Sequence, residues 1–282
     1  MRKPVLSPRN DFVFKRLFGD ARDTSLLTEF LKSTLDLPAE DYQEVRIADP
    51  HLSGERLEDK EGILDVKVKT PSGKRIDIEI QVVEHPLMRE RLVFYLARMV
   101  TEQIGKGEGY QAIKRSISIV ITDYLQIPEN RSYHNRYRLY DRQTGSEFTD
   151  LLEVNTLELP KLPEKEDGTA LWNWLEFLNA RKEEDLMKLA EKNPQIEKAV
   201  LHLMALSEDE QTRLLAESRE KLQRDIAARE NAAVKGGWEE GREEGCEEAQ
   251  LVIARRLLGL GLSIDEIVKA TELSPDAIRT LH

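Results

Sequence analysis

Apolar and polar positions alternate along two neighbouring arms of the chain, Ile63-Leu64-Asp65-Val66-Lys67-Val68-Lys69-Thr70 and Lys74 to Val83, with Pro71-Ser72-Gly73 between them. A period of two is that of a half-buried strand, so the pattern predicts a β-hairpin. With Gly73 in the left-handed position of a three-residue loop, opposed positions sum to 144. Val66 then faces Ile78 and Val68 faces Ile76 on one apolar face. On the other face Asp65 meets Glu79, Lys67 meets Asp77, and Gln81 projects two residues beyond Glu79. A slip of one residue would set Val66 against Glu79, so the pattern specifies its own register.

Elsewhere the period is that of a helix or of a buried strand. Residues 7–36 read as a helical entry, with Pro8 in its first turn, Gly19 as punctuation and Leu26, Leu27, Phe30, Leu31 and Leu35 along one side. Residues 43–51 predict a short strand, 87–104 a helix, 115–122 a buried strand and 134–141 a further strand. The order is that of an α/β fold. After Pro160-Lys161-Leu162-Pro163 the composition turns to helix formers, opened by Trp172, Trp174, Leu175 and Leu178. The expected organisation is a first domain over 1–165, a helical extension over 166–235, a segment 236–250 and a tail 251–282. In 236–250, Gly237, Gly241 and Gly245 recur every four residues, which suits either a flexible Gly/Glu-rich connector or a helix with a small-residue face. In the tail, Ser263-Ile264-Asp265-Glu266 is a capping box and Ser274-Pro275 starts another short helix, a helix-turn-helix-like pair. Its second helix offers Arg279 as the basic group and carries Asp276, which favours self-association over reading DNA.

Composition narrows the function. The 282 residues hold 42 Lys and Arg against 53 Asp and Glu, a net charge of −11. The excess is not evenly spread: residues 1–150 carry 24 basic and 25 acidic side chains, residues 151–282 carry 18 and 28, and the window 91–140 carries 8 and 4. An acidic total therefore does not exclude a nucleic-acid partner. No apolar run reaches the length of a membrane span, and the first residues lack a signal-peptide core, so a cytoplasmic protein is expected. The single cysteine, Cys246, excludes an internal disulfide and a thiolate zinc cluster, and the five histidines form no pair at helical metal-ligand spacing. No Ser/His/Asp or Cys/His set is evident.

What remains is the polar face of the hairpin. Two carboxylates opposed across a ladder repel unless something compensates. A hard divalent cation does so, and the backbone carbonyl of Ile80 is a further oxygen ligand between Glu79 and Gln81. A solvated face on which Lys67 and Lys69 neutralise the acids explains the same pattern. Asp11 reads either as a neighbour of this site or as a helix-start acid favoured by the dipole. Arg91 and Arg98 share a helical stripe able to meet phosphates. Arg136 and Arg138, interleaved with Tyr133, His134, Tyr137 and Tyr140, suit either single-stranded nucleic acid or an exposed strand edge.

Taken in order, these residues resemble a known family. Asp65 followed by Ile78-Glu79-Ile80-Gln81 looks like the core of the PD-(D/E)XK nucleases. With Asp11-Phe12-Val13-Phe14-Lys15-Arg16-Leu17-Phe18-Gly19, the Leu64–Val68 strand, Arg91 to Tyr95, Gly109-Tyr110 and 117–121, the chain resembles the Rpn family of recombination-promoting nucleases, or transposase-like proteins. The resemblance implies an α/β core of restriction-endonuclease type with a helical C-terminal extension, and Mg²⁺- or Mn²⁺-dependent cleavage of DNA. Asp65, Glu79 and the Ile80 carbonyl would hold the metal, and Asp65, Glu79 and Gln81 would be catalytic. Gln81 stands where the superfamily has lysine; it can orient a water but brings no charge. Lys67, Arg91, Arg98, Arg136 and Arg138 are the candidate DNA contacts. The implied partners are DNA and a second copy of the chain, through the C-terminal helices, and no membrane. The alternative is a catalytically weak or inactive nuclease fold used for DNA binding or interaction.

Overall fold

The strictly alternating hairpin forms in the predicted register. The computed structural model describes residues 4–48, 66–260 and 262–281. Strand β2 (Val66–Lys69) pairs antiparallel with β3 (Arg75–Gln81), with Val66 opposite Ile78, Lys67 opposite Asp77 and Val68 opposite Ile76. Gly73 turns the chain with φ +88°, a conformation that costs other residues a Cβ clash, and its amide donates to the Thr70 carbonyl at 2.9 Å. Asp65 lies outside the described residues.

Strand β1 (Arg46–Ile47) adds to β2, and β3 continues into a parallel pair with β4 (Ser116–Thr122) across the helix α3 (Met88–Thr101). The sheet order is β1-β2-β3-β4-β6-β5. Strand β5 (His134–Tyr140) forms as expected, but it does not pair with β4. Between them runs β6 (Glu147–Glu158), the longest strand, which the polarity pattern did not announce. Its inner end is buried although it carries Glu153, Asn155, Thr156 and Glu158. Strand β4 is buried along its whole length, as a parallel central strand covered on both faces must be.

The two faces of the sheet are covered differently. Ile76, Ile78, Ile80, Ile117, Ile119, Ile121 and Leu157 point into the main core with α1 (Asp11–Phe18) and α2 (Ser25–Thr34). Phe14 stacks on Phe18 at 4.6 Å between centroids, and Phe18 meets both Phe30 and Trp174 at 5.6 Å. Trp174 comes from α4 (Ala170–Asn179), so the helical segment after Pro163 fills the same core as the sheet, joined by α6 (Pro194–Glu208). On the opposite face Met88 and Leu92 of α3 pack on Val120 and Val154. The polar residues Asp77, Glu79 and Gln81 share that face by strand alternation. Pro8 sits ahead of α1 and not inside it: the Asn10 amide closes a turn on the Ser7 carbonyl, and the Asn10 side chain caps the Phe12 and Val13 amides.

The chain divides into two compact units, one up to Asp225 and one from Ile226, within the helix α7 (Glu210–Gly259) that follows α5 (Glu183–Lys192) and α6. The backbone of α7 is helical through 236–250, glycines included. In the second unit Ala254, Ile267 and Ile278 join α7, α8 (Ile264–Thr271) and α9 (Pro275–Arg279) in a small core. The predicted capping box forms: Ser263 accepts from the Glu266 amide, and Glu266 accepts from the Ser263 amide at 2.9 Å. Among the described residues no helix is long and apolar enough to cross a membrane.

Candidate active site

The carboxyl ends of parallel strands are where α/β sheets assemble sites, and β3 and β4 end side by side at Gln81 and Thr122. Glu79 lies 6% exposed on the α3 face, and Gln81, one pleat further, donates from Nε2 to Glu79 Oε2 at 3.2 Å. Backbone groups along β3 alternate between its neighbours. The Arg75 amide donates to the Arg115 carbonyl and the Gln81 carbonyl accepts from the Asp123 amide, both at 3.0 Å, so the odd-numbered residues turn to β4. Ile80 therefore directs its carbonyl to the other side, past Val66, where the described part of β2 begins. Glu79 and the Ile80 carbonyl are oxygen donors of the kind a hard divalent cation such as Mg²⁺ or Mn²⁺ takes. Among the described residues no three His, Cys, Asp or Glu converge as a metal group.

The segment after β4 completes this end of the sheet. Arg9 Nη1 donates to Asp123 Oδ2 at 2.6 Å, pinning the residue whose amide closes on Gln81. Tyr124 follows, and its carbonyl accepts from Thr122 Oγ1 at 2.9 Å. The loop beyond is anchored from below: buried Glu158 accepts from the Gln126 and Ile127 amides at 2.9 and 3.2 Å and from Lys161 Nζ at 2.8 Å. Arg89 of α3 donates to the Gln126 carbonyl at 3.1 Å. The Tyr124 hydroxyl is a buried atom with no protein hydrogen bond of good geometry. Burial, then the charges of Glu79 and Glu84, push its ionisation far above the ordinary phenol range, against the His85 amide and the Arg91 guanidinium. Arg91 Nε is likewise buried without a hydrogen-bond partner, its guanidinium 6.0 Å from the centroid of the Tyr95 ring. A buried donor left without a partner costs about 1–3 kcal/mol, so each of these atoms calls for an explanation.

The other expected site residues are dispersed. Lys67 is exposed on β2, across from Asp77. Arg98 pairs with Glu102 at 2.7 Å along α3. Arg136 donates to Asp36 at 2.6 Å and to the Thr34 carbonyl at 3.3 Å, and Arg138 donates to Glu153 at 2.5 Å and Glu147 at 3.2 Å. Asp11 is buried against α7, accepting from Arg219 at 2.7 Å and Gln223 at 2.6 Å. His85 Nδ1 accepts from the Leu87 amide at 3.0 Å, at the start of α3. Tyr124 escaped the sequence reading. Its one signal is position, directly after a strand apolar enough to be central.

No curated protein and no solved structure matches the chain. A family model does match it, over residues 8–233, a span that takes in α1, the whole sheet and the helices packed beneath it; the chain belongs to the PD-(D/E)XK nuclease family transposases.

Proposed function

We propose that the protein is a Mg²⁺-dependent DNA endonuclease that hydrolyses phosphodiester bonds, acting on recombining or mobile-element DNA. The observation that carries the reading is Glu79, buried at the carboxyl end of β3 with Gln81 on its carboxylate. Family membership supports it, since PD-(D/E)XK proteins are in general nucleases that use divalent metal. Asp65 is the second carboxylate of the proposal: the pairing observed from Val66 to Lys69 keeps the count of 144 on which the sequence sets Asp65 against Glu79. A divalent ion held by such a set would polarise the phosphodiester and lower the pKa of water. The chain's own groups do the remainder. Glu79 and Asp65 hold position and charge, and the Gln81 amide orients the attacking water without adding charge. Arg91 and Lys67 meet phosphate oxygens from the same face of the sheet, with Arg98, Arg136 and Arg138 as outlying contacts. The second unit, with Val252, Ile253 and Leu260 exposed on α7, is proposed to pair copies of the chain. Absence of cysteine pairs suits a cytoplasmic setting.

Nicking of supercoiled plasmid tests this, with wild type, Glu79→Gln and Asp65→Ala each assayed in Mg²⁺ and in EDTA. Cleavage by wild type in Mg²⁺ alone upholds the reading; equal cleavage by all three overturns it. The neutral Gln81 favours one second reading, a nuclease fold that binds DNA and cleaves it weakly or not at all. It predicts DNA affinity without metal-dependent nicking.

A further inference from the structure

Tyr124 and Arg91 bring buried polar atoms to the same end of the sheet from two different elements. Tyr124 extends from the end of β4, held by Thr122 Oγ1 on its carbonyl and by the Asp123 amide on the end of β3. Arg91 comes from the first turns of α3, which Arg89 ties to the same loop through the Gln126 carbonyl. The Tyr124 hydroxyl and Arg91 Nε are both shielded atoms that donate no hydrogen bond among the described residues; the His85 amide approaches the hydroxyl oxygen, and Glu79, Glu84 and Arg91 lie near enough to act on it electrostatically. A phenol is protonated at neutral pH, so the oxygen has a proton to donate. A neutral donor and a cation converging beside a carboxylate suit an anionic oxygen. The site also lacks a charge at Gln81, which Arg91 supplies from the helix.

We propose that the Tyr124 hydroxyl and the Arg91 guanidinium together clamp a non-bridging phosphate oxygen of a nucleic-acid backbone beside Glu79. The clamp rests on the nuclease reading for the identity of the bound backbone. It is a property of binding, and so is measured apart from cleavage. Tyr124 is a substrate-contacting residue in this proposal, and its ring packing is left intact by phenylalanine.

The test uses the full chain as wild type, Tyr124→Phe, Arg91→Gln and the double variant. Binding of a fluorescently labelled DNA duplex is followed by anisotropy in EDTA over a salt series, and plasmid nicking and thermal melting are run alongside. Tyr124→Phe is expected to weaken binding about fivefold and Arg91→Gln about tenfold. The double variant should lose less than the product of the two, because both hold one oxygen. Arg91→Gln should flatten the salt dependence by about one phosphate contact, and Tyr124→Phe should leave it unchanged. The melting temperature of Tyr124→Phe should match or exceed wild type. Wild-type affinity in both single variants overturns the clamp, and so does a lowered melting temperature of Tyr124→Phe, which would mark the hydroxyl as a structural bond. Binding losses without nicking by any variant uphold the clamp and sink the nuclease reading. A wild type that does not bind the duplex overturns the clamp, and one that also fails to nick plasmid in Mg²⁺ overturns both.

Discussion

Two regions of the sheet bury carboxylates in opposite styles. At the β5–β6 rim Glu153 is 1% exposed and ringed by cations: Arg115 and Arg138 donate to it, Arg136 lies at 3.6 Å and Asn155 donates at 2.8 Å. Burial alone would raise its pKa, but Asn155, Arg138 and Arg115 outweigh it and hold the carboxyl below its ordinary range. At the end of β3, Glu79 is nearly as buried, yet the described groups near it include a neutral amide from Gln81, a phenol, and an arginine whose Nε has no acceptor among the described residues. The first region neutralises its carboxylate within the fold, as a structural ion cluster requires, although Arg115 Nε is itself buried without a hydrogen-bond partner. The second meets its carboxylate with a neutral amide and leaves the Tyr124 hydroxyl proton and Arg91 Nε without an acceptor among the described residues, which a bound ligand would offset.

The largest expected effect separates these styles directly. Glu79→Gln should cut Mg²⁺-dependent plasmid nicking by more than the roughly 10–100-fold that follows loss of a supporting metal partner, with the melting temperature unchanged or raised. Glu153→Gln should do the reverse. It leaves three guanidinium groups beside an uncharged amide, and losing one partner of a buried ion cluster costs about 3–5 kcal/mol. Calorimetry should show the melting transition about 10 °C lower, with cleavage per folded molecule preserved. A stable Glu153→Gln, or an unstable Glu79→Gln, would break the comparison.

The contrast also explains what could be read from the chain. The β2–β3 register was legible because Val66, Val68, Ile76 and Ile78 keep one face apolar over a turn that glycine permits. The capping box at Ser263 and Glu266 was legible because its partners are three residues apart. Strand β6 was hidden, since its buried positions hold Glu153, Asn155 and Glu158, which read as surface until Arg115, Arg138 and Lys161 are seen beside them. Arg136 and Arg138 looked like nucleic-acid contacts in sequence, and nothing local reveals Asp36 or Glu153 across the fold. Tyr124 gains meaning only from the parallel pairing of β3 and β4, a contact between residues some forty positions apart.

Acid titration sharpens the structural side. A carboxyl whose folded pKa lies below its unfolded value stabilises the fold above the unfolded value and loses that contribution as pH falls through the folded one. Asp41 is such a group: burial opposes ionisation, but Lys74 Nζ at 2.5 Å and the Ser72 amide outweigh it and bring the pKa from 3.8 to about 2. Glu153 shifts in the same direction. Urea midpoints should therefore fall for wild type between about pH 4 and about pH 2. Asp41→Asn, less stable at neutral pH, should fall less steeply over that window. Parallel curves would show that the Lys74 bond adds nothing to folding.

The smallest effect concerns the turn that sets the site's register. Gly73 has φ +88°, and a Cβ there would stand 3.3 Å from Lys114 Cγ, the flexible stem of a lysine. Gly145, in the β5–β6 turn, has φ +72° with nothing within 4 Å. Left-handed backbone costs a residue with a Cβ roughly 1–2 kcal/mol, so alanine at either glycine should destabilise by about that much, Gly73 slightly more because Lys114 must also shift. Denaturant titration reads both losses, while nicking rates distinguish them. Gly73→Ala strains the hairpin whose pairing aligns Glu79, so its cleavage rate should fall beyond the loss of folded protein. Gly145→Ala, at the far rim, should cost stability alone. Equal nicking by both variants per folded molecule would mean that β3 holds its register through β4 and α3 without help from the turn.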